Sequence, residues 1–344
     1  MKKRHIKTHA YPRVGLIGNP SDGYHGRTIA FTFKNFRAEI LMGEDSTRIS
    51  FVNRESTFES VHELCSHIRH HGYYGGIRLL KATIKRFHDH CKEHSIGADF
   101  EKKFKVTYTS NIPQQVGLAG SSAIITATFR ALMDFYGVSI DQAVLPNLIR
   151  EVETQELSIP AGLQDRVVQV YDTLIFMDFN TSYMDTHGHG LYEPIQLPDA
   201  MPPFYIAYRA DSSEGTEVSH NRLRYKYDEG DKHAHDAMRF WADLTLEARE
   251  ALEKNDQERL FRCINQNFDM RRKLYETLQI RMKPEHLEMV LLARESGASA
   301  KFAGSGGAIV GTCRSEKDFL LLKKNLEAKG IHVIQPVYQE ETQR

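Results

Sequence analysis

Short apolar stretches bounded by turn formers alternate with longer segments in which apolar residues recur every three or four positions. RVGLIG at 13–18 reads as a strand ending at a glycine, and the following NPSDGYHG is dense in turn-forming residues. RTIAFTF at 27–33, AEILM at 38–42 and RISFV at 48–52 predict further strands. From about 59 to 95 the period turns helical, with Ile77, Leu80, Ile84 and Phe87 at three- and four-residue steps. KFKVTYTS at 103–110 returns to alternation through Phe104, Val106 and Tyr108. A helix is predicted after GLAGSS through about 135, and a second over about 141–157. VVQVYDTLIFMDF at 167–179 reads as strand material with a turn near Tyr171–Asp172. In the second half, FYIAYRA at 204–210 predicts a strand, and helical periods cover about 232–254, 256–279 and 284–296. The end reads as strand (SAKFAG, 299–304), glycine-rich turn, strand (AIVGTC, 308–313), helix (315–329) and strand (HVIQPV, 332–337).

Strands and helices mix without regular alternation, which predicts an α+β protein rather than a doubly wound sheet. Residues 181–203 collect Gly188, Gly190, Pro194, Pro198, Pro202 and Pro203, so a domain boundary is expected near 200, dividing the chain into 1–200 and 201–344. There is no internal repeat and no low-complexity tract.

Composition narrows the class. The 344 residues are 41% hydrophobic, enough for a substantial core. Lys+Arg and Asp+Glu both number 45, so no net field recruits nucleic acid or an anionic membrane. No apolar run approaches the ~18 residues of a membrane span, and the N-terminal segment lacks the apolar stretch of a signal peptide. Cys65, Cys91, Cys263 and Cys313 are scattered, with no CxxC, as expected of reduced thiols in a cytoplasmic protein.

Candidate chemistry begins at NIPQQVGLAGSS, residues 111–122, where glycines and serines precede an apolar helix. A helix start carries unpaired N–H groups and a partial positive charge, so it attracts phosphate, and glycine lets the backbone approach closely. No lysine follows, so this is not a GxxxxGK[ST] loop, and an ordinary serine-capped helix would leave the same trace. A second glycine-rich turn, KFAGSGGAIVG at 301–311, lies between two predicted strands and could be a plain hairpin. IPAGLQDR at 159–166 places Asp165 just past a Pro-x-Gly turn, where it would begin an apolar strand. Glu151, Glu153 and Glu156 stand near a helix end, where the dipole disfavours acids and a cation partner would be welcome; a solvated face is the plainer alternative. His62, His67, His70, His71, His88, His90 and His94 crowd one segment, but their spacing suits exposed helix faces better than a zinc site. Trp241 reads as core on an amphipathic helix, and Met282–Lys283–Pro284 as a helix break.

Taken in order, these segments resemble the GHMP kinases, the family of galactokinase, homoserine kinase, mevalonate kinase and phosphomevalonate kinase. YPRVGLIGNPSDGY at 11–24 resembles the family's PGRVNLIGEHTDY, and PQQVGLAGSSA at 113–123 resembles PxxxGLGSSAA. KFAGSGGAI at 301–309 resembles KxTGAGGGG. Glu153, Pro160, Gly162 and Asp165 fall in the galactokinase-like pattern E-x6-P-x-G-x-x-D. VGLIGNPSDGYHGRTIAFTF, YYGGIRLLKA at 73–82 and VSHNRLRYKYDEGD at 218–231 are similar to the glucuronokinase-like subgroup, and NPSD in place of EHTD separates the chain from true galactokinases.

The resemblance implies an N-terminal α+β domain, a ferredoxin-like C-terminal domain and an active site in the cleft between them. It implies ATP and Mg²⁺ as cofactors and a sugar or uronic acid as substrate, with a homodimer as the assembly considered. Gly117, Leu118, Ala119, Gly120, Ser121 and Ser122 would cradle nucleotide phosphates, joined by Gly304, Ser305 and Gly306. Glu153 and a hydroxyl of the serine pair, Ser122 by preference, would hold Mg²⁺. Asp165 would accept the sugar hydroxyl's proton, with Arg13 orienting it or stabilising the anionic transition state. Asp22 would bond sugar hydroxyls, and Arg27 or Arg209 would meet a uronate carboxylate. The implied activity is phosphorylation of glucuronate at its anomeric hydroxyl. The alternatives are a kinase for another sugar or heptose derivative, and a non-catalytic sensor on the same fold; the Glu153–Asp165 pairing favours the enzyme.

Overall fold

The computed structural model describes residues 5–51, 56–73, 76–198, 202–209 and 217–339. Of the predicted elements, Val52, Tyr74, Gly75 and Ala210 lie outside the described residues. Two compact units divide the chain: Met1–Pro12, Phe36–Ile112 and Ala119–Asp172 form one, and Arg13–Asn35, Pro113–Leu118 and Thr173–Arg344 the other.

The first unit is built on a sheet in the order His5–Ala10, Ala38–Asp45, Lys103–Ser110, Ile49–Ser50, Thr57–Phe58. The long strands are antiparallel, with Ile40 opposite Tyr108 and Met42 opposite Val106. Alternation works as the sequence predicts: Phe104 and Val106 turn inward with Ala38, Ile40 and Met42. The helix Gly120–Tyr136 packs across this sheet. Its apolar residues lie on nearly every side, so most of the helix is buried. The predicted helical run 59–95 is two helices, Val61–His71 and Arg78–Glu93.

Two elements depart from the sequence reading. The predicted helix 141–157 is an α-helix, Leu145–Glu151, that widens into a π-helical turn, Val152–Glu156. Residues read as strand at 167–171 belong instead to a helix, Gln164–Tyr171, which ends where Asp172 adopts a left-handed conformation at φ 52°. The expected turn near Tyr171–Asp172 is real, but it closes a helix before the strand Ile175–Asp178 begins. Val167, Val168 and Val170 favour strands by β-branching, yet all three are buried here, and packing overrides a weak propensity.

The second unit holds two antiparallel sheets. One runs Arg13–Ile17, Arg27–Thr32, Ile175–Asp178, Leu191–Pro194. The other runs Lys301–Phe302, Ala308–Thr312, Phe204–Tyr208, His332–Ile334. Numbered by chain order the latter is 2-3-1-4, the ferredoxin-like arrangement. Tyr205, Ala207, Ile309 and Val333 close its core with Phe268, Met289, Val290 and Leu322 from the helices. Asp231 and Asp256 start the helices Lys232–Glu253 and Gln257–Thr277 by accepting the Ala234 and Arg259 amides. The Gly/Pro-rich segment 181–203 also contains order the sequence reading missed, a helix Thr181–His187 and the strand Leu191–Pro194.

Candidate active site

In the first unit, the start of the helix Gly120–Tyr136 and the helix Gln164–Tyr171 converge on one buried carboxylate. Glu153 is 2% exposed. Its Oε1 accepts a hydrogen bond from the Ser121 hydroxyl at 2.8 Å, and its Oε2 accepts from the Arg166 guanidinium. Arg166 also stands 3.3 Å from Asp165 Oδ2, and it donates to the Gly162 carbonyl at 3.0 Å. One buried cation thus ties together the two carboxylates of the E-x6-P-x-G-x-x-D pattern.

The backbone sets this up in two places. Glu153 sits in the π-helical turn, which rotates it relative to a regular helix; π turns recur at functional sites for this reason. Ala119, the residue before the helix, is left-handed at φ 63°, which costs a non-glycine residue roughly 1–2 kcal/mol. Gln169 holds it there: its Nε2 donates to the Ala119 carbonyl at 2.9 Å and to the Tyr11 carbonyl at 3.0 Å. The hydroxyl that meets Glu153 is that of Ser121. Ser122 is fully buried, and its Oγ turns back on the Ala119 carbonyl at 3.2 Å. The amides of Gly120, Ser121 and Ser122 are the first of their helix, without intrahelical acceptors.

In the second unit, Arg13 is 6% exposed, and its Nη1 donates to the Gly117 carbonyl at 2.7 Å and the Ala303 carbonyl at 3.3 Å. The Arg13 amide donates to Leu118, and that of Gly15 to Ala303. Segment 113–118 and the turn 304–307 therefore lie against each other. A Cβ on Gly304 would stand 2.6 Å from the Gly117 carbonyl, and one on Gly117, whose φ is +78°, 2.8 Å from the Gly306 carbonyl, so both positions require glycine. A Cβ on Gly117 would also meet the Ser305 amide at 3.5 Å.

Beneath this turn lie two further cations that sequence reasoning missed. Lys301, 1% exposed, donates to Gly15 O at 2.7 Å, Asn19 Oδ1 at 2.6 Å and Phe302 O at 2.7 Å. Arg271, 3% exposed, donates to Gly304 O at 3.0 Å and Asn19 O at 3.1 Å. Burial pushes the Lys301 ammonium well below the ordinary lysine range, and the charges of Arg271 and Arg13 push the same way. Lys301 and Arg271 donate to backbone carbonyls and to the Asn19 amide oxygen, groups that carry no formal charge. Asn267, one helical turn before Arg271, accepts from the Gly18 amide at 2.7 Å and donates to Asn19 O at 3.3 Å. Trp241 is fully buried, as expected, and its Nε1 donates to Asn267 O at 3.1 Å.

Asp22 lies on the short turn Ser21–Tyr24, and its charge raises the Arg271 guanidinium while burial lowers it more. The two cations expected to meet a uronate carboxylate each stand near a carboxylate of the chain. Arg27 Nε bonds Asp178 Oδ2 at 2.7 Å, its cross-strand partner, with Asp243 at 3.9 Å. Arg209 stands 3.7 Å from Glu288, and its amide donates to Gly307 O, which puts it beside the glycine-rich turn. Of the seven histidines, His62, His67, His70, His71 and His94 are exposed as expected, whereas His88 and His90 are each 6% exposed. His88 Nε2 meets His62 Nδ1 at 3.2 Å, and its Nδ1 meets Asp89 at 3.1 Å. All four cysteines are free and buried.

The chain belongs to the GHMP kinase family and is an ATP-dependent phosphotransferase: residues 78–173 match the GHMP kinases N terminal domain, and two glucuronokinases are 38–40% identical along nearly the whole chain. Its fold is that of the family as well. The structure of Lactococcus lactis galactokinase complexed with galactose matches it with a TM-score of 0.73 at 15% identity, over 97% of this chain and 93% of that one. The chain is also similar to glucuronokinases. Glucuronokinase 1 of Arabidopsis thaliana is 38% identical over 96% of this chain and 91% of its own length. Probable glucuronokinase 2 of the same plant is 40% identical over 95% and 90%.

Proposed function

We infer that this protein transfers the γ-phosphoryl group of ATP to glucuronate, at the anomeric hydroxyl, giving glucuronate 1-phosphate and ADP. The observation that carries the substrate is the 38–40% identity to two glucuronokinases along nearly the whole chain. The observation that supports catalysis, against a sensor that only binds, is the Glu153–Arg166–Asp165 arrangement. A binding module has no need of a carboxylate base held in place by a buried arginine.

Phosphoryl transfer demands positioning and charge neutralisation more than covalent chemistry. The first amides of the helix Gly120–Tyr136 supply hydrogen-bond donors at its positive end for the nucleotide phosphates. Gly304, Ser305 and Gly306 line a turn above Arg13, Arg271 and Lys301, a second source of positive potential for the phosphates. Asp165 takes the proton of the attacking sugar hydroxyl, and Arg166 fixes its carboxylate. Arg13 stabilises the charge that develops on the transferred group. Asp22 accepts hydrogen bonds from the sugar. Mg²⁺ prefers a few hard oxygen donors, and the carboxylate of Glu153 with the adjoining Ser121 hydroxyl is such a set. When bound, the ion would neutralise phosphate charge.

The test is ADP release across a panel of hexoses and uronic acids with Mg·ATP. Glucuronate should be preferred over glucose and galactose by about tenfold or more, since a lost charged hydrogen bond is worth roughly 1.5–3 kcal/mol. Equal turnover of the neutral sugars would replace the uronate reading with a neutral-sugar kinase.

A further inference from the structure

The subgroup-like segment 218–231 has no role in the chemistry above, yet it forms a helix, Glu217–Asp228, that packs on the Asp22 turn. Leu223 is fully buried with Tyr24, Trp241 and Leu274. That anchor places the next residue, Arg224, beside the turn. Its guanidinium lies 4.2 Å over the Tyr24 ring, and its Nη2 donates to the Gly23 carbonyl. Tyr24 in turn packs against Tyr227, one helical turn beyond Arg224, with ring centroids 4.7 Å apart and planes tilted by 59°.

The cations around this turn differ in what already balances them. Arg27 has Asp178 at 2.7 Å. Arg271 is buried, with its donors on Gly304 and Asn19 carbonyls. Among the described residues, Arg224 is paired with the carboxylate of Asp228 at 3.9 Å, whose side chain is 60% exposed; its own is 47% exposed. A guanidinium has five donors in a fixed fork, and Gly23 takes one. The aromatic face beneath the plane and the carbonyl at its edge hold the fork in one orientation, which lowers the entropy lost on binding a planar anion.

We propose that Arg224 is the specificity-determining cation of this enzyme, receiving the carboxylate of a uronic acid whose hydroxyls are held at the Asp22 turn. The assignment rests on the glucuronate reading above and names the group that enforces it.

Glucuronamide has the shape of glucuronate without the charge, so the ratio of the two substrates isolates the carboxylate. In the wild type kcat/KM for glucuronate should exceed that for glucuronamide by about tenfold or more. Arg224→Met should bring this ratio close to one, by lowering glucuronate and leaving glucuronamide within about twofold. Arg224→Lys should keep an intermediate ratio, since charge survives but the fork does not. Circular dichroism checks that both variants are folded. An unchanged ratio in Arg224→Met overturns the proposal while the glucuronate reading stands, and so does an equal loss on both substrates. A wild type that does not turn over glucuronate overturns both.

Discussion

Arg166 shows how much of this site turns on one side chain. It is 5% exposed and neutralises Glu153, itself 2% exposed, while bracing Asp165. Removing one partner of a buried pair leaves the other charge stranded, at a cost of about 3–5 kcal/mol. Arg166→Met should therefore lower the unfolding midpoint sharply, and adding Glu153→Gln should restore much of the loss; two independent, additive losses in chemical denaturation would contradict the pairing. Asp165→Asn keeps shape and removes the proton acceptor, so kcat should fall by roughly 10²–10⁴-fold with nucleotide affinity little changed. Near-wild-type turnover would remove Asp165 as the base. The serines can be told apart as well. Ser121→Ala should reduce activity and raise the Mg²⁺ needed for half-maximal rate, whereas Ser122→Ala should leave the metal titration alone, because its hydroxyl is bonded to Ala119 O. At this scale the sequence was informative where chemistry comes in spaced patterns: Glu153 and Asp165 stand out by their intervals. It was silent on Arg166, Lys301 and Arg271, because nothing local tells a cation destined for burial from one in solvent. The choice between Ser121 and Ser122 depends on the left-handed Ala119, which rotates the helix start and cannot be read from GLAGSS alone.

Secondary elements carry the next layer of control. The π-helical turn that presents Glu153 also holds Glu156, which accepts from the Tyr73 hydroxyl at 2.5 Å and from Lys85 at 2.7 Å. Lys85 continues to Asp89 at 2.9 Å, and Asp89 to His88. The helix Arg78–Glu93, Tyr73 and the turn are thereby laced together. Burial pushes the Asp89 carboxyl up, but hydrogen bonds from His88 and Lys85 outweigh it and hold it at about 2. A depressed carboxyl contributes stability above its unfolded value near 3.8, and that stability is lost as pH falls toward about 2. Acid unfolding of the wild type should steepen across this window, and Lys85→Met should flatten it and lower kcat by loosening the turn under Glu153. A parallel acid profile in the two proteins would show that the lattice does not support the turn. Helices with long amphipathic periods and aspartate caps, such as Lys232–Glu253 and Gln257–Thr277, were legible within a residue or two. The helix Gln164–Tyr171 was not, because its valines speak for a strand. Packing of those buried valines overrides the propensity, and the resulting helix carries Asp165, Arg166 and Gln169 together.

For the molecule as a whole, the chain crosses between its two units at 12–13, 35–36, 112–113, 118–119 and 172–173. The ferredoxin-like sheet begins at Phe204, and no feature of the sequence announces that Arg13–Asn35 and Pro113–Leu118 join it in one compact unit. Such membership is a matter of long-range pairing, as between Gly15 and Ala303, which leaves no local trace. The interlacing has a thermodynamic consequence: unfolding either unit releases both ends of segments in the other, so the two should melt together. The chain carries the means to see this. Trp241 is the only tryptophan of the sequence, and it is fully buried in the second unit. Helical ellipticity, by contrast, comes from both units. Fluorescence and circular dichroism should give coincident midpoints in urea, and a tryptophan transition preceding or trailing the dichroic one would mean that the units melt apart. The same indole is bonded to Asn267, which grips Gly18 and Asn19, and it packs in one cluster with Tyr24. If the proposed function holds, a sugar received at the Asp22 turn would alter the surroundings of this single fluorophore, so emission intensity should titrate with glucuronate without label or turnover, and unchanged emission at saturating glucuronate would contradict that placement.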